Sequence, residues 1–323
     1  MRPLKFHPIL KQTLWGGERI IPYKELASGL SRVGESWELS GMSGSESVVA
    51  EGPWAGSTLP ELIGHFGAEL LGKANYARFG QEFPLLVKFI DAREDLSIQV
   101  HPDDELARKR HGKSGKCEMW YVLEAEPGAS LLTGFSRPID PAEYKRRVAD
   151  NTLTDVLSRQ AIASGDVFYL PAGRVHSIGK GSFIVEIQQS SDITYRIYDF
   201  DRRDAAGNPR ELHTELAREA IDFESSENSR ITYAPENNQE VRLVTTPYFT
   251  TSLYTLTART RCDWSATDSF VAIVLLQGSG SLTDNEGNRI NVRQGETWLL
   301  PASTQWTEIT PHTATLRLLT SRI

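Results

Sequence analysis

Short segments of this chain are rich in hydrophobic, β-branched and aromatic residues, and they are bounded by Gly, Pro or charged turn residues. This pattern is typical of β-strands. It predicts strands at 84–90, 119–123, 183–187, 270–276 and 297–300. Helical periodicity is less common and predicts helices at 58–64, 69–72, 103–110, 140–148 and 152–159. The chain is therefore predicted to be mainly β, with a small helical insertion formed by the last two helices.

One motif occurs twice. Gly165-Asp-x3-Leu-Pro-Ala172 returns as Gly295-Glu-x3-Leu-Pro-Ala302. The strand before each copy also aligns, 122–123 with 274–275. The distance along the chain between these two strands is greater than the distance between the two motifs. The first copy is therefore predicted to hold an insertion between its strand and its motif. The repeat predicts two related β-barrels.

The repeat also predicts how the chain divides. Residues 1–235 are expected to form one barrel with N-terminal strands and a helical cap at about 138–160, and residues 236–323 a smaller one. At the spacing of the repeated motif, the counterpart of His176 is Trp306, and the segment 274–280 contains no histidine or carboxylate. We therefore expect the second barrel to lack metal ligands.

Composition narrows the class of protein. The chain has 323 residues, 39% of them hydrophobic, which is ample for a buried core. No apolar run approaches the roughly 20 residues of a membrane span, and no signal-peptide core is present, so a cytoplasmic protein without membrane contact is expected. A net charge of −7 argues against a nucleic-acid surface. Cys117 and Cys262 are expected to be reduced thiols, and the protein a monomer or homodimer.

Four potential metal ligands have spacings that suit the strands of a barrel. Gln99 and His101 share a strand face with Ser97, because side chains two positions apart point the same way. Glu118 belongs to a neighbouring predicted strand, and His176 follows a Pro-Ala-Gly bend. Nitrogen and oxygen ligands without thiolate suit Zn²⁺, Fe²⁺, Mn²⁺ or Co²⁺ and disfavour a closed structural zinc site. Alone, Gln99-x-His101 and Glu118 are more often ordinary polar strand residues, and His176 could be a turn residue bonded to backbone, but the four together predict a divalent metal site.

These motifs resemble those of the cupins, and among them the type I mannose-6-phosphate isomerases of the short bacterial form. The most specific similarity is Gln99-x-His-Pro102 with Lys116-x-Glu118 downstream. Ile193-Thr-Tyr-Arg-Ile-Tyr-Asp199 is also similar to a family motif, whereas the motif ending in His176 is general to cupins. Further similar segments lie at 6–17, 34–40 and 84–90, so the resemblance covers most of the chain.

The resemblance implies two jelly-roll barrels, one zinc ion, and interconversion of the sugar phosphates mannose 6-phosphate and fructose 6-phosphate through an enediolate. By motif position, it implies an active-site arginine at Arg196 and these metal ligands: Gln99, His101, Glu118 and His176. Longer relatives carry a large helical domain ahead of the last ligand, where this chain has only the segment 140–159.

Further polar residues are candidates for catalysis or substrate binding. Lys116 shares a strand face with Glu118 and is either a base, a hydrogen-bond donor to substrate, or only a salt-bridge partner of Glu118. Glu186 is a second base candidate or the partner of a buried arginine. Arg196 either contacts an enediolate or phosphate, or is that arginine. Ser97 either touches phosphate or hydrates the cavity, and the basic cluster at 108–113 is a phosphate site or a solvated helix end.

Two other functions are compatible with the same residues. His101, Glu118 and His176 also form the two-histidine, one-carboxylate set of Fe(II) oxygenases, but Gln99 would occupy a position that oxygen needs. A non-catalytic sugar-binding cupin is the second alternative, and the complete ligand set argues against it.

Overall fold

The computed structural model describes residues 1–204, 206–224 and 228–323, and strands predominate in it, which confirms the mainly β prediction. In chain order the strands are β1 (Leu4–Lys5), β2 (Ile9–Gly17), β3 (Val33–Leu39), β4 (Leu85–Ala92), β5 (Ile98–Val100), β6 (Glu118–Ala125), β7 (Ser130–Phe135), β8 (Leu157–Ala161), β9 (Val167–Leu170), β10 (His176–Ile178), β11 (Ser182–Gln189), β12 (Tyr195–Tyr198), β13 (Arg230–Ile231), β14 (Glu240–Thr245), β15 (Thr250–Leu256), β16 (Thr260–Asp263), β17 (Val271–Gln277), β18 (Ser279–Asp284), β19 (Arg289–Arg293), β20 (Thr297–Leu300), β21 (Trp306–Pro311) and β22 (Leu316–Arg322). The helices are α1 (Ile20–Tyr23), α2 (Leu59–Phe66), α3 (Ala68–Leu71), α4 (Lys73–Phe79), α5 (Asp104–His111), α6 (Pro141–Ala149) and α7 (Thr214–Ala220), with a 3₁₀ helix at Leu153–Val156. Among the described helices, none has the length and apolar character that a membrane span requires.

The strands form four sheets. A seven-stranded sheet has the order β13-β9-β6-β11-β4-β2-β3, and a five-stranded sheet the order β12-β5-β10-β7-β8. A six-stranded sheet has the order β1-β20-β17-β22-β15-β14, and a four-stranded sheet the order β16-β21-β18-β19. β1 thus pairs with β20, in a sheet whose other strands all come from residues after 235. The predicted division at residue 235 stays a prediction.

Hydrophobic clusters show that these sheets stack in four layers. One cluster, with Trp120, Leu131 and Phe168, fills the space between the seven- and five-stranded sheets. A second, with Leu275 and Leu282, lies between the six- and four-stranded sheets. A third joins the outer face of the seven-stranded sheet to the six-stranded sheet and to α2 and α3. Strands β4 and β11 are consequently buried along their whole length, on both faces.

The sequence repeat corresponds to equivalent strands in the two pairs of sheets. β9 and β20 hold the two copies of the motif, as predicted, and pair with β6 and β17 respectively. Tyr121 of β6 lies opposite the first residue of β9, and Val274 of β17 lies opposite the first residue of β20. Tyr121 is therefore the counterpart of Val274, whereas the sequence alignment had placed Val122 there. In this register the counterpart of Glu118 is a valine at the start of β17, and that of His176 is a tryptophan at the start of β21. Neither counterpart is a metal ligand.

The predicted helical cap is only partly helical. α6 and the 3₁₀ helix lie within it, but the prediction of helix at 157–159 was wrong, because β8 begins at Leu157 and pairs with β7. Tyr144 of α6 packs with Ile98 and Ile197 on the outer face of the five-stranded sheet. Since side chains alternate along a strand, Gln99 and Arg196 point to the opposite face. The insertion therefore supports the back of the sheet that carries the candidate site.

Candidate metal centre and adjoining pocket

Three of the four predicted ligands converge between the seven- and five-stranded sheets. His101, Glu118 and His176 are buried, and their potential ligand atoms all lie within 4.8 Å of one another. Glu118 Oε2 is 3.5 Å from His101 Nε2, and Glu118 Oε1 is 3.2 Å from His176 Nε2. Glu118 starts β6 in one sheet, whereas His176 starts β10 in the other, and His101 follows β5 directly. Two facing sheets thus bring together residues that are distant in sequence.

Backbone carbonyls fix the orientation of both imidazoles. His101 Nδ1 lies 2.8 Å from Ile193 O, and His176 Nδ1 lies 2.8 Å from Arg174 O. Because a carbonyl only accepts hydrogen bonds, each Nδ1 carries the proton and each Nε2 presents a lone pair. Burial favours this neutral form, lowering the pKa of His176 to about 4 and that of His101 well below its ordinary value.

The polar atoms at this point fit a divalent cation. His101 Nε2 and Glu118 Oε1 are buried and have no hydrogen-bond partner among the described residues, whereas Glu118 Oε2 is paired with Lys116. Unpaired buried acceptors are strongly unfavourable unless a ligand or ion satisfies them. Two imidazoles oriented by a second contact and one carboxylate are a common donor set for zinc and related metals.

Gln99 lies beside this group. In the sheet it is paired with His176 of β10 on one side and with Arg196 of β12 on the other. Its Nε2 is 3.4 Å from His176 Nε2, and its Oε1 accepts a hydrogen bond from Ser97 Oγ at 3.4 Å. A half-turn of the amide would place Oε1 at the position of Nε2, facing the histidine lone pair. Gln99 is therefore placed to present an amide oxygen to the group formed by His101, Glu118 and His176.

Lys116 is buried next to the carboxylate of the centre. Its Nζ lies 3.0 Å from Glu118 Oε2, so the salt bridge considered from the sequence is present. Burial, and then the negative charge of Glu186, raise the pKa of Glu118 to about 7. Lys116 and Lys88 oppose this shift. Any additional positive charge near this buried carboxylate would stabilise its ionised form.

Glu186 makes a buried ion pair on the same face of the seven-stranded sheet. Its Oε1 is 3.1 Å from Lys88 Nζ, and its Oε2 accepts a hydrogen bond from Trp120 Nε1 at 2.9 Å. Burial alone would raise the pKa of Glu186, but the charges of Lys88 and Lys116 hold it at about 2. Burial likewise opposes protonation of Lys88, yet Glu35 and Glu186 raise its pKa above the ordinary value. The partner of Glu186 is thus a lysine, not the arginine suggested by the sequence.

A pocket of about 540 Å³ opens beside the centre. All the other predicted site residues line it: Ser97, Gln99, Lys116, Glu186 and Arg196. Its charged lining also includes three residues that the sequence reasoning missed: Glu35, Lys88 and Arg210. Four cations face two carboxylates, so the pocket favours an anionic ligand.

The basic cluster at 108–113 does not line this pocket. Arg110 pairs with Glu219 and bonds to Leu216 O, and Lys113 pairs with Asp192 at 2.9 Å. These contacts join α5 to α7, and the segment after α5 to the segment before β12. The interpretation of the cluster as a helix end stays a prediction.

An antiparallel pair of facing sheets with a buried His-Glu-His centre at one end defines a cupin-type protein. Residues 4–131 match the family described as phosphomannose isomerase type I, catalytic domain. The chain is 35% identical over 303 residues to the probable mannose-6-phosphate isomerase GmuF of Bacillus subtilis, covering 93% of both chains. It is 33% identical over 302 residues to the mannose-6-phosphate isomerase ManA of the same organism, again covering 93% of both. The crystal structure of the Bacillus subtilis mannose 6-phosphate isomerase superposes with a TM-score of 0.90 at 30% identity, over 100% of both chains. The chain belongs to the type I phosphomannose isomerase family.

Proposed function

We propose that this protein is a metal-dependent aldose-ketose isomerase that interconverts mannose 6-phosphate and fructose 6-phosphate. Zinc is the proposed ion, with His101, Glu118, His176 and Gln99 as ligands. The observation that carries the proposal is the combination of a buried His-Glu-His group with an adjoining pocket in which cations outnumber carboxylates. The cations suit the phosphate of a sugar phosphate, and an ion held by the His-Glu-His group would be the electrophile that the reacting sugar oxygens need. The family relationship supplies the particular substrate pair.

The reaction sets two chemical requirements. Moving a carbonyl between C1 and C2 removes a proton from carbon next to a carbonyl, so a proton carrier is needed and negative charge develops on oxygen. A bound divalent cation supplies Lewis-acid polarisation of the sugar oxygens. Arg196 and Lys116, both on the pocket wall, are placed to donate hydrogen bonds to the oxygens of the enediolate.

Two residues of the pocket wall are candidates for the proton carrier, and we assign the role to Lys116. Glu186 has the required ionised form, but its low pKa makes it a weak base, and Lys88 and Trp120 already occupy its oxygens. Glu186 is then a structural residue that keeps Lys88 charged. Lys116 reaches the pocket from the carboxylate side of the centre. Ser97, next to Gln99, contributes a hydroxyl to substrate binding.

An isomerase assay with zinc-loaded protein tests the proposal. Conversion of mannose 6-phosphate to fructose 6-phosphate in the absence of oxygen is expected, together with incorporation of solvent deuterium at C1 of the ketose, because the proton leaves C2 and a proton is delivered to C1. Lys116→Met should abolish both, Arg196→Gln should lower kcat at least a hundredfold, and Glu186→Gln should retain measurable turnover. Arg218→Gln, at an exposed position on α7, is the matched control. Near-normal turnover by Lys116→Met, or no product at any zinc loading, would refute the assignment.

A further inference from the structure

We infer that a second cavity, whose lining includes Tyr121, Gln277 and Arg317, binds a small polar molecule through one oxyanion, either a carboxylate or a phosphate monoester, with Arg317 as the residue that contacts it. This inter-repeat cavity is separate from the metal centre and from the pocket beside it. Binding there would therefore not require isomerase activity.

The inter-repeat cavity lies where the seven-stranded and six-stranded sheets meet. Its volume is about 590 Å³, and residues of β6 on one side and of β17 and β22 on the other line it. Tyr121 of β6 belongs to the hydrophobic cluster on the outer face of the seven-stranded sheet. The neighbouring Trp120 faces inward and donates a hydrogen bond to Glu186. The inter-repeat cavity and the metal centre thus lie on opposite faces of β6.

The two sides of the cavity come from equivalent positions of the sequence repeat. Three equivalent pairs line it: Ser164 and Gln294, Leu123 and Leu276, and Glu124 and Gln277. The first pair directly precedes the two copies of the motif. The other two pairs follow from the strand pairing that makes Tyr121 the counterpart of Val274. The repeat therefore forms a shared cavity between its two copies, and such junctions are common places for ligand pockets.

The equivalence of the two sides is broken at the charged positions. Arg317 of β22 lies opposite Gln277 of β17. The first copy has Glu124 at the position of Gln277, and there the residue opposite is Phe183 of β11. A carboxylate directly opposite Arg317 would form a cross-strand ion pair with it. The second copy instead places a neutral amide at this position, so the positive charge of Arg317 is not neutralised across the strands.

Arg317 is a partly buried cation that pairs with no carboxylate of the described chain. Its Nε is buried and has no hydrogen-bond partner among the described residues. Arg322 on the same strand, in contrast, pairs with Glu240 at 3.1 Å. Burial raises the pKa of Tyr121, and the nearby guanidinium of Arg317 opposes that shift. A cation that is partly removed from water and lacks a counter-ion is stabilised by a bound anion.

The other side chains of the lining define the class of ligand. The lining carries one positive charge, on Arg317, and one negative charge, on the exposed Glu124. This balance suits a single oxyanion better than a polyanion. A guanidinium donates two parallel hydrogen bonds equally well to a carboxylate or a phosphate. The polar side chains of Ser164, Gln277 and Gln294 are available to the rest of such a molecule, since none of them bonds to another described residue.

Protection of Arg317 from phenylglyoxal tests the site in the wild-type protein. Peptide mass spectrometry follows the modification of individual arginines in phosphate, in acetate, and in sodium chloride of equal ionic strength. At least one oxyanion should slow modification of Arg317 at least fivefold relative to chloride and leave the exposed Arg218 within twofold. Slowing by phosphate alone would identify a phosphate ester as the ligand class, and slowing by acetate alone a carboxylate. Less than fivefold slowing by both oxyanions overturns the inference.

Two substitutions in the cavity give an independent test by equilibrium dialysis with radiolabelled phosphate and acetate. Arg317→Gln removes the cation, and Gln277→Glu supplies the missing carboxylate opposite Arg317. Each variant should bind one phosphate or one acetate fewer per chain than the wild type. Gln305→Glu adds the same charge at an exposed position outside the cavity and should bind as the wild type does.

Gln277→Glu also separates a lost site from a lost fold. The new ion pair should keep its thermal midpoint at or above that of the wild type, even if Arg317→Gln unfolds more easily. Loss of one bound oxyanion from a folded Gln277→Glu variant supports the site. Equal binding of both oxyanions by the wild type and by this variant overturns the inference.

Discussion

Replacing Lys88 with methionine should destabilise the protein through the carboxylate that it leaves behind. Lys88 Nζ is 3.1 Å from Glu186 Oε1 and 3.6 Å from Glu35 Oε2, and the pair with Glu186 is almost entirely buried. Methionine has a similar volume and removes only the charge. Glu186 would then keep its hydrogen bond from Trp120 but lose the closest positive charge.

The size of the expected destabilisation follows from the pKa of Glu186. Lowering this pKa from the ordinary 4.5 to about 2 corresponds to about 3 kcal/mol of stability. Because the folded-state pKa is depressed, this contribution is present at neutral pH and is lost as the pH falls from about 4.5 towards 2. Removing one partner of a buried ion pair typically costs about 3–5 kcal/mol, which agrees in size. We expect a loss of about 3 kcal/mol at pH 7, or about 4–5 °C in the thermal midpoint for a chain of 323 residues.

Thermal unfolding of a double-mutant cycle measures this effect. Lys88→Met should be the least stable variant, and Glu186→Gln should lose less, because Lys88 keeps Glu35 nearby. The double variant should recover part of the loss, since neither buried charge remains without its partner. Without Lys88, burial raises the pKa of Glu186, so the gap between Lys88→Met and wild type should narrow from pH 7 to pH 5. If the stability of Lys88→Met lies within about 0.5 kcal/mol of wild type at pH 7, the loss is well below the usual effect of breaking a buried pair, and this reasoning is refuted.

Three further predictions concern the metal, a thiol and a helix cap. Chelation of the metal should lower the thermal midpoint and added zinc should restore it, whereas Glu118→Gln should show no zinc response; an equal response would contradict the ligand assignment. Burial raises the pKa of the Cys262 thiol to about 12, so the folded protein should not react with a thiol reagent at pH 8 until it is denatured, and rapid labelling would contradict this. Thr58→Ala should cost about 1 kcal/mol by removing the capping box with Glu61, measured against Thr58→Ser, and equal midpoints would argue against the cap.

Much of the fold follows from local patterns in the sequence. The strands β4, β6, β11, β17 and β20 and the helix α2 lie where periodicity and capping residues predict them. The grouping of His101, Glu118 and His176 follows from strand alternation, because each residue lies on the inward face of its sheet. Gln99 lies beside them for the same reason.

The features that were missed depend on pairing across long stretches of sequence. Lys88 lies in a segment that is typical of an apolar strand, and its partner Glu186 belongs to a strand much further along the chain. The local sequence therefore does not indicate that Lys88 belongs to a buried ion pair. Arg210 lies in irregular structure without periodicity, so no local pattern indicates that it lines the pocket. Residues 157–159 were predicted as helix because their local propensity was read without their pairing to β7. The strands before the two copies of the repeat were aligned one position out, because the alignment matched residues of similar type and not residues at equivalent positions of the strand pairing.

The pairing of β1 with β20 has a consequence for the order in which the chain folds. Leu4 is paired with Leu299, so β1 cannot pair with its neighbour in the sheet until the residues up to β20 have been synthesised. Until then β1 lacks its sheet partner, and the charge of Lys5 discourages pairing with other strands. The pairing of β1 with β20 is therefore expected to be a late step of folding.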